Sequence, residues 1–250
     1  MSITISPITG IPVIRPGDDL ATHLLSAMDR SRLHLADADI LVICQKVVSK
    51  AEGRIARIAD ITASPFAEQI AAQTTDKDPR IVEIILRETT RIVKMNRGHL
   101  IVETGPGWVC ANAGVDESNS LEDGTVILLP ADPDASARRL KDAVRARTDK
   151  DVAVLITDTW GRPWRDGLVD FAIGIAGIDA MLDLRGETDM NGRELHHTVM
   201  AQADALAATA GLMMRKGAGL PAVLVRGYAF KPAKGSAAPL IRPRELDLFR

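Results

Sequence analysis

Aromatic side chains are scarce in this chain of 250 residues: three Trp, one Tyr and four Phe. That scarcity speaks against a base-stacking platform for single-stranded nucleic acid. Charge of one sign is not in surplus either. Lys and Arg number 31 and Asp and Glu 33, a formal net charge of −2. A surface built for a polyanion carries a basic excess, so nucleic acid is not an expected partner. Cysteine is limited to Cys44 and Cys110, both inside apolar runs. Two such residues make no disulfide framework and behave as small hydrophobes. No apolar run approaches the ~20 residues that span a bilayer, the longest, with its glycines, being Phe171 to Ile178. No membrane association is expected. The start, Met1 to Ile5, has no basic region ahead of an apolar stretch, so no signal peptide is expected and the cytoplasm is the expected compartment. A G-x-x-x-x-G-K-[ST] loop is missing, which speaks against a P-loop enzyme. Gly217-Ala218-Gly219-Leu220-Pro221-Ala222 imitates a dinucleotide fingerprint, but it would follow a helix and precede a strand, the wrong order.

What is present is an alternation of helical and strand-like patterns. Asp18 or Asp19 can cap a helix through Met28 with Leu20, Leu24 and Met28 on one face. Ile40 to Ile43 reads as a strand. Ser64-Pro65 and Asp78-Pro79 each open a helix, proline being well placed in a first turn. Leu100 to Thr104 and Trp108 to Ala111, around Gly105-Pro106-Gly107, read as a hairpin. Val126 to Leu129 is a strand, and a charged helix ends near Arg147. Val152 to Ile156 is a buried strand, Glu194 to Met214 a long helix, and Ala222 to Val225 the last strand.

Three polar segments sit at the ends of these runs. After Val152 to Ile156 come Thr157-Asp158-Thr159-Trp160-Gly161-Arg162-Pro163-Trp164-Arg165. In open α/β sheets ligands bind beyond the carboxyl ends of strands. Asp158 and Thr159 offer the hard oxygens that Mg²⁺ or Mn²⁺ prefers. Arg162 and Arg165 offer planar donor forks for phosphate or carboxylate. The plain alternative is a helix cap with solvated arginines. After the hairpin comes Asn112-Ala113-Gly114-Val115-Asp116-Glu117-Ser118-Asn119. Asp116 suits a metal and Asn119 a nucleotide or substrate; an Asx-rich turn satisfying its own backbone is the alternative. After Val42-Ile43-Cys44 come Gln45, Lys46 and Lys50. The two lysines share a face whether the stretch is helical or extended. They are point charges for phosphate, or else simply solvated lysines. His196-His197 would face different ways on a helix and is read as a non-ligand pair.

Taken together, the segments resemble the coenzyme F420:L-glutamate ligase family. The resemblance rests on GIPVIRPGDDL at Gly10 to Leu20, QKVVSKAEGR at Gln45 to Arg54 and VCANAGVDESN at Val109 to Asn119. It extends through ITDTWGRPWRDGLVDFAIGIAG at Ile156 to Gly177 and GLPAVLVRG at Gly219 to Gly227. It implies an α+β (mixed α/β) fold, a single two-subregion ligase domain over residues 1–250 with no C-terminal flavin-binding extension, and a homodimer. It implies a GTP-dependent ligase that joins L-glutamate to coenzyme F420-0 through a γ-glutamyl amide, by way of an acyl phosphate. Mn²⁺ or Mg²⁺ would assist, with K⁺ as a further cation.

The resemblance also implies site roles. Asp116 and Asp158 would hold a divalent metal and Thr159 a second one, with Arg162 and Arg165 steadying charge beside the two catalytic aspartates. Gly10, Ile11, Pro12, Val13, Gln45, Lys46, Lys50 and Asn119 would line the nucleotide site, and the loop with Lys216, Gly217 and Gly219 would lie near the phosphates. That loop departs from some relatives, which carry an acidic or amide residue there. Lys216 has an ammonium, with no lone pair to give a cation. Two other readings share these residues: an amide ligase of the same scaffold acting on a different carboxylate acceptor, and a non-catalytic nucleotide-binding protein.

Overall fold

Apolar runs that continue without alternation belong to strands covered on both faces, and two of them organise the first part of this molecule. The computed structural model describes residues 2–73, 77–96, 98–118, 120, 122–215 and 217–247. The strands in chain order are β1 (Thr4–Pro7), β2 (Ile40–Cys44), β3 (Ile55–Arg57), β4 (Thr89–Asn96), β5 (His99–Thr104), β6 (Val109–Ala111), β7 (Thr125–Ile127), β8 (Ala153–Arg162), β9 (Arg165–Ile178), β10 (Leu182–Asp183), β11 (Val199–Met200), β12 (Ala222–Arg226) and β13 (Pro232–Ala233). The helices are α1 (Leu20–Arg30), α2 (Gln45–Ala51), α3 (Pro65–Gln73), α4 (Pro79–Arg87), α5 (Pro133–Thr148) and α6 (Gln202–Gly211).

The chain divides into two units. The first comprises residues 1–11, 21–44 and 133–242. Its six-stranded sheet has the order β1-β12-β2-β8-β9-β13, with β2 and β8 parallel and every other pair antiparallel. Ile40 to Ile43 and Ala153 to Ile156 are wholly buried. Helices α5 and α6 pack on β8 and β9. Two carboxylates, Asp39 buried and Asp134 half-buried, fasten the sheet. Asp39 accepts Arg226 Nε at 2.7 Å and Nη2 at 2.6 Å, tying β2 to β12. Asp134 accepts Ile175 N at 2.8 Å, Ala237 N at 3.0 Å and Ser236 Oγ at 2.7 Å, tying the start of α5 to β9.

The second unit comprises residues 12–20, 45–132 and 243–250. It holds the β4-β5-β6 meander and the β3-β7 pair. Ala67 and Ile70 of α3, Val82 and Ile85 of α4, Leu100 and Val102 of β5, and Ala113 form its core. Asp78 caps α4 by accepting Arg80 N at 2.8 Å, with Pro79 in the first turn.

Most of the expected elements are present, with two corrections. The helix expected over Glu194 to Met214 forms only at Gln202–Gly211. Ahead of it Val199 and Met200 pair as β11 with Asp183 and Leu182, so cross-strand pairing overrides local helix propensity. His196 and His197 therefore lie outside any helix; their rings meet edge-on with centroids 6.4 Å apart. The second correction concerns the segment after Ile156. It is not a loop: β8 runs on through Arg162 and pairs with β9, leaving only Pro163 and Trp164 as the turn. Thr157, Thr159 and Trp160 are residues that suit a pleated surface, and Trp160 stacks on Phe171 across the pair at 5.5 Å.

Gly174 shows how close α5 approaches the sheet. A Cβ there would lie 2.3 Å from the Pro133 carbonyl oxygen, whereas one at Gly161 would meet nothing within 4 Å. Gly174→Ala is expected to cost about 1–3 kcal/mol by overpacking, lowering the melting temperature by roughly 2–10 °C. Gly161→Ala should leave it within about 2 °C; equal melting curves would remove the close approach.

Candidate functional site

The second unit gathers its polar site from two short chain segments. Cys44 ends β2 and α2 begins at the next residue, so Gln45 and Lys46 occupy the first turn of a helix. The stretch is helical, and Lys46 and Lys50 lie one turn apart on it. Neither lysine is a solvated surface residue: Lys50 is 9% exposed and the Lys46 side chain 13%.

The other segment is shaped by its backbone. Asn112 (φ 54°), Ala113 (φ 54°) and Gly114 (φ 69°) are three successive left-handed residues. Residues with a Cβ pay roughly 1–2 kcal/mol each for that conformation, asparagine less than most. Packing offsets the cost. The Ala113 side chain is in the core, and a Cβ on Gly114 would lie 2.7 Å from Leu129 Cγ. Val115 N donates to Asn112 O at 3.0 Å and closes the turn. Asp116 then exchanges two backbone hydrogen bonds with Ile127, at 3.0 and 2.9 Å, which pin its main chain to β7.

The two segments meet through side chains. Lys46 Nζ lies 2.7 Å from Asp116 Oδ2 and donates to Ser118 Oγ at 2.6 Å. Asp116 Oδ1 accepts Ser118 N at 2.7 Å. Burial pushes the Asp116 carboxyl up, but the hydrogen bonds from Lys46 and Ser118 and the charge of Lys46 together outweigh it and hold it below its ordinary value. The group is an anion at neutral pH. Gln45 is 1% exposed; its Oε1 accepts Ser49 Oγ at 2.8 Å, while its Nε2 is buried with no hydrogen-bond partner among the described residues. A buried orphan donor is costly unless something else meets it.

In the first unit the expected metal residues part company. Successive side chains of a strand point to opposite faces, so Asp158 and Thr159 of β8 do not converge. Asp158 stands opposite Phe171, and Thr159 opposite Asp170. The Thr159 hydroxyl is hydrogen-bonded to Asp170 Oδ1. Asp170 is buried, and a Cβ on Gly211 of α6 would lie 2.6 Å from its Oδ2. Asp204 of α6 accepts Ala172 N at 3.0 Å, and burial raises its carboxyl above the ordinary range. Arg162 and Arg165 face each other beside the hairpin turn, with Arg162 Nη2 donating to Asp166 O at 3.1 Å.

The remaining expected residues are on irregular backbone. Gly10 has φ 76° and its carbonyl accepts Arg30 Nη2 at 2.8 Å; Ile11 and Pro12 follow, and Val13 is exposed. Gly217 and Gly219 have φ 87° and 66° with open space where a side chain would go, so conformation is what requires glycine there. Asn119 and Lys216 lie outside the described residues. Ser118, Asp170 and Asp204 were not foreseen. Ser118 lies inside a segment singled out for its neighbours, but the tie of Asp170 to Thr159 depends on strand register.

The donors fit a divalent cation. The Asp116 carboxylate and Ser118 hydroxyl supply hard oxygens, and Mg²⁺ is commonly held by one or two carboxylates with substrate phosphates completing its shell. No group of three or more His, Cys, Asp or Glu side chains gathers among the described residues. None of the described helices is long and apolar enough to cross a membrane.

Compared with known families, residues 9–227 match the F420-0:gamma-glutamyl ligase model. The chain belongs to this family. It is 44% identical over 253 residues to the coenzyme F420:L-glutamate ligase of Methanothermobacter thermautotrophicus, with both chains covered in full. It is 44% identical over 256 residues to the protein of that name from Methanopyrus kandleri, covering 100% of this chain and 98% of the relative. The Archaeoglobus fulgidus protein of the same name is 43% identical over 251 residues, covering 100% and 97%. The α+β architecture described above is that of an F420-0:gamma-glutamyl ligase family member.

The Lys46–Asp116 pair has a pH signature. A carboxyl held low contributes stability that is present above its unfolded value and lost as pH falls through the folded one, here below 3.8. Lys46→Met removes the principal lowering partner and leaves the burial. Asp116 should then titrate at higher pH than in the native protein, followed by NMR of the carboxyl carbon. An unchanged titration would show that Lys46 does not hold the carboxylate.

Proposed function

We propose that the chain joins L-glutamate to coenzyme F420-0 through a γ-glutamyl amide bond, using GTP and releasing GDP and phosphate. The names of its relatives support the acceptor and the amino acid. The observation that carries the phosphate chemistry is the Lys46–Asp116–Ser118 cluster: a cation, an anion and a hydroxyl within 2.7 Å contacts, with the Asp116 main chain hydrogen-bonded to Ile127.

In the proposed reaction a terminal carboxylate oxygen of F420-0 attacks the γ-phosphorus of GTP and GDP leaves. The amine of glutamate, having lost a proton, attacks the acyl carbon of the acyl phosphate and phosphate leaves. Such transfers depend mainly on positioning and charge stabilisation. Lys46 is a point charge suited to phosphate. Asp116 suits Mn²⁺ or Mg²⁺, which when bound would neutralise charge on the phosphates. Without ligand the two side chains neutralise each other. A phosphate with its cation presents both signs at once, so each side chain could exchange its partner without being left as an uncompensated, half-buried charge. Gln45 Nε2 would gain an acceptor. We assign Lys50, Asn119 and the Gly217–Gly219 loop to the nucleotide and Asp158 to the cation, on the family resemblance.

The direct test is end-point mass analysis after incubation with F420-0, L-glutamate, GTP and Mn²⁺. The expected product is heavier by one or more glutamyl units and fails to form without GTP or metal. No product, with GTP still bound, would favour a different carboxylate acceptor; no GTP binding would sink the nucleotide reading. Asp158→Asn should lower kcat by about 100-fold or more while leaving the circular dichroism spectrum intact; near-native turnover would remove Asp158 from the site.

A further inference from the structure

Lysine is rarely drawn into a protein interior without a reason, and Lys77 is half-buried just ahead of α4. Its Nζ donates to Asn112 Oδ1 at 2.6 Å. The same oxygen faces Leu100 N of β5 at 3.4 Å. Burial lowers the Lys77 ammonium below its ordinary value, opposed by the negative charge of Glu117. Asn112 is the first of the three left-handed residues, and the chain reaches Asp116 four residues later. The next residue, Ala113, is part of the core formed by α3, α4 and β5. The turn is therefore anchored at its first side chain by Lys77, at its second by packing, and at its third by a position that excludes a Cβ.

We infer that Lys77 is a positioning residue for the Asp116 site: by clamping Asn112 it holds the left-handed turn in the one arrangement that presents Asp116 to Lys46 and Ser118. The inference rests on the cation- and nucleotide-binding reading of that site. A non-glycine turn of this hand has right-handed alternatives open to it. Loss of the clamp frees Asn112 to take one, and the displacement passes down the short covalent path to Asp116. Lys77 need not touch nucleotide or metal to act in this way. It acts as outer residues do that orient ligands from behind.

Two variants test it. Lys77→Met keeps most of the aliphatic stem and removes the donor. Asn112→Gly removes the clamped side chain at a φ that glycine adopts without steric strain, at the entropic cost of a freer backbone, so Lys77→Met, which leaves the backbone unchanged, is read beside it. Each is measured for Mn²⁺-GDP affinity by electron paramagnetic resonance, for hydrogen exchange of the Asp116 and Ser118 amides, and for melting temperature. The expected result in both is a roughly 10- to 100-fold loss of Mn²⁺-GDP affinity, the scale seen when ligand-orienting residues are removed. Faster exchange at both amides should accompany it, with the global melt little changed. Native exchange at the two amides in both variants overturns the inference, whatever happens to affinity. So does an affinity loss explained by a matching fall in melting temperature. If the native protein binds no Mn²⁺-GDP, the site reading fails, and exchange at Asp116 and Ser118 still decides whether Lys77 holds the turn.

Discussion

Parallel pairing of β2 with β8 sets Cys44 beside Thr157, where two apolar runs end at the same level of one sheet. Up to that level both strands are covered on each face and can carry only apolar side chains. Past it each chain turns polar at once, Gln45-Lys46 in one case and Asp158-Thr159 in the other. The pairing thus fixes where the apolar runs give way to polar side chains: at the carboxyl end of β2, where Gln45 is still buried, and midway along β8, which runs on to Arg162. Asp39 on Arg226 ties the start of β2 to β12, and Asp134 ties α5 to β9.

Charge in the second unit is held by a different device. A half-buried carboxylate is expensive unless it is met by a cation and by hydrogen bonds. Asp116 has both, from Lys46 and from Ser118. That satisfaction depends on backbone that no run of ordinary residues would choose, three left-handed positions in succession. The core pays for the turn by burying Ala113, so stability generated in one place supports geometry required in another.

Much of the scaffold was legible in advance because its signals are local. Leu20, Leu24 and Met28 recur at helical spacing and are all buried in α1. Asp78-Pro79 is a start signal, and Asp78 does cap α4. Gly105-Pro106-Gly107 separates β5 from β6. The failures have a common cause. Val199 and Met200 leave the expected helix for a strand partner some seventeen residues back in the chain, and Asp158 to Arg162 leave the expected loop for register with β9. Partner strands supply hydrogen bonds that no property of the segment itself announces.

The site divides along the same line. Residue types and their grouping were open to reading: hard oxygens at Asp116, Asp158 and Thr159, point charges at Lys46 and Lys50, and motifs that place the chain in its family. Those are properties of side-chain chemistry and order along the chain, and folding does not alter them. Tertiary structure alone decided that Lys46 meets Asp116, that the Thr159 hydroxyl is turned to Asp170 while Asp158 faces the other way, and that Asn112 is gripped by Lys77. Each of these contacts joins residues at least eleven positions apart, except the opposed facing of Asp158 and Thr159, which follows from strand geometry that β9 imposes. Such distances and faces come from register and packing, because they are fixed by which surfaces the whole chain can bury together.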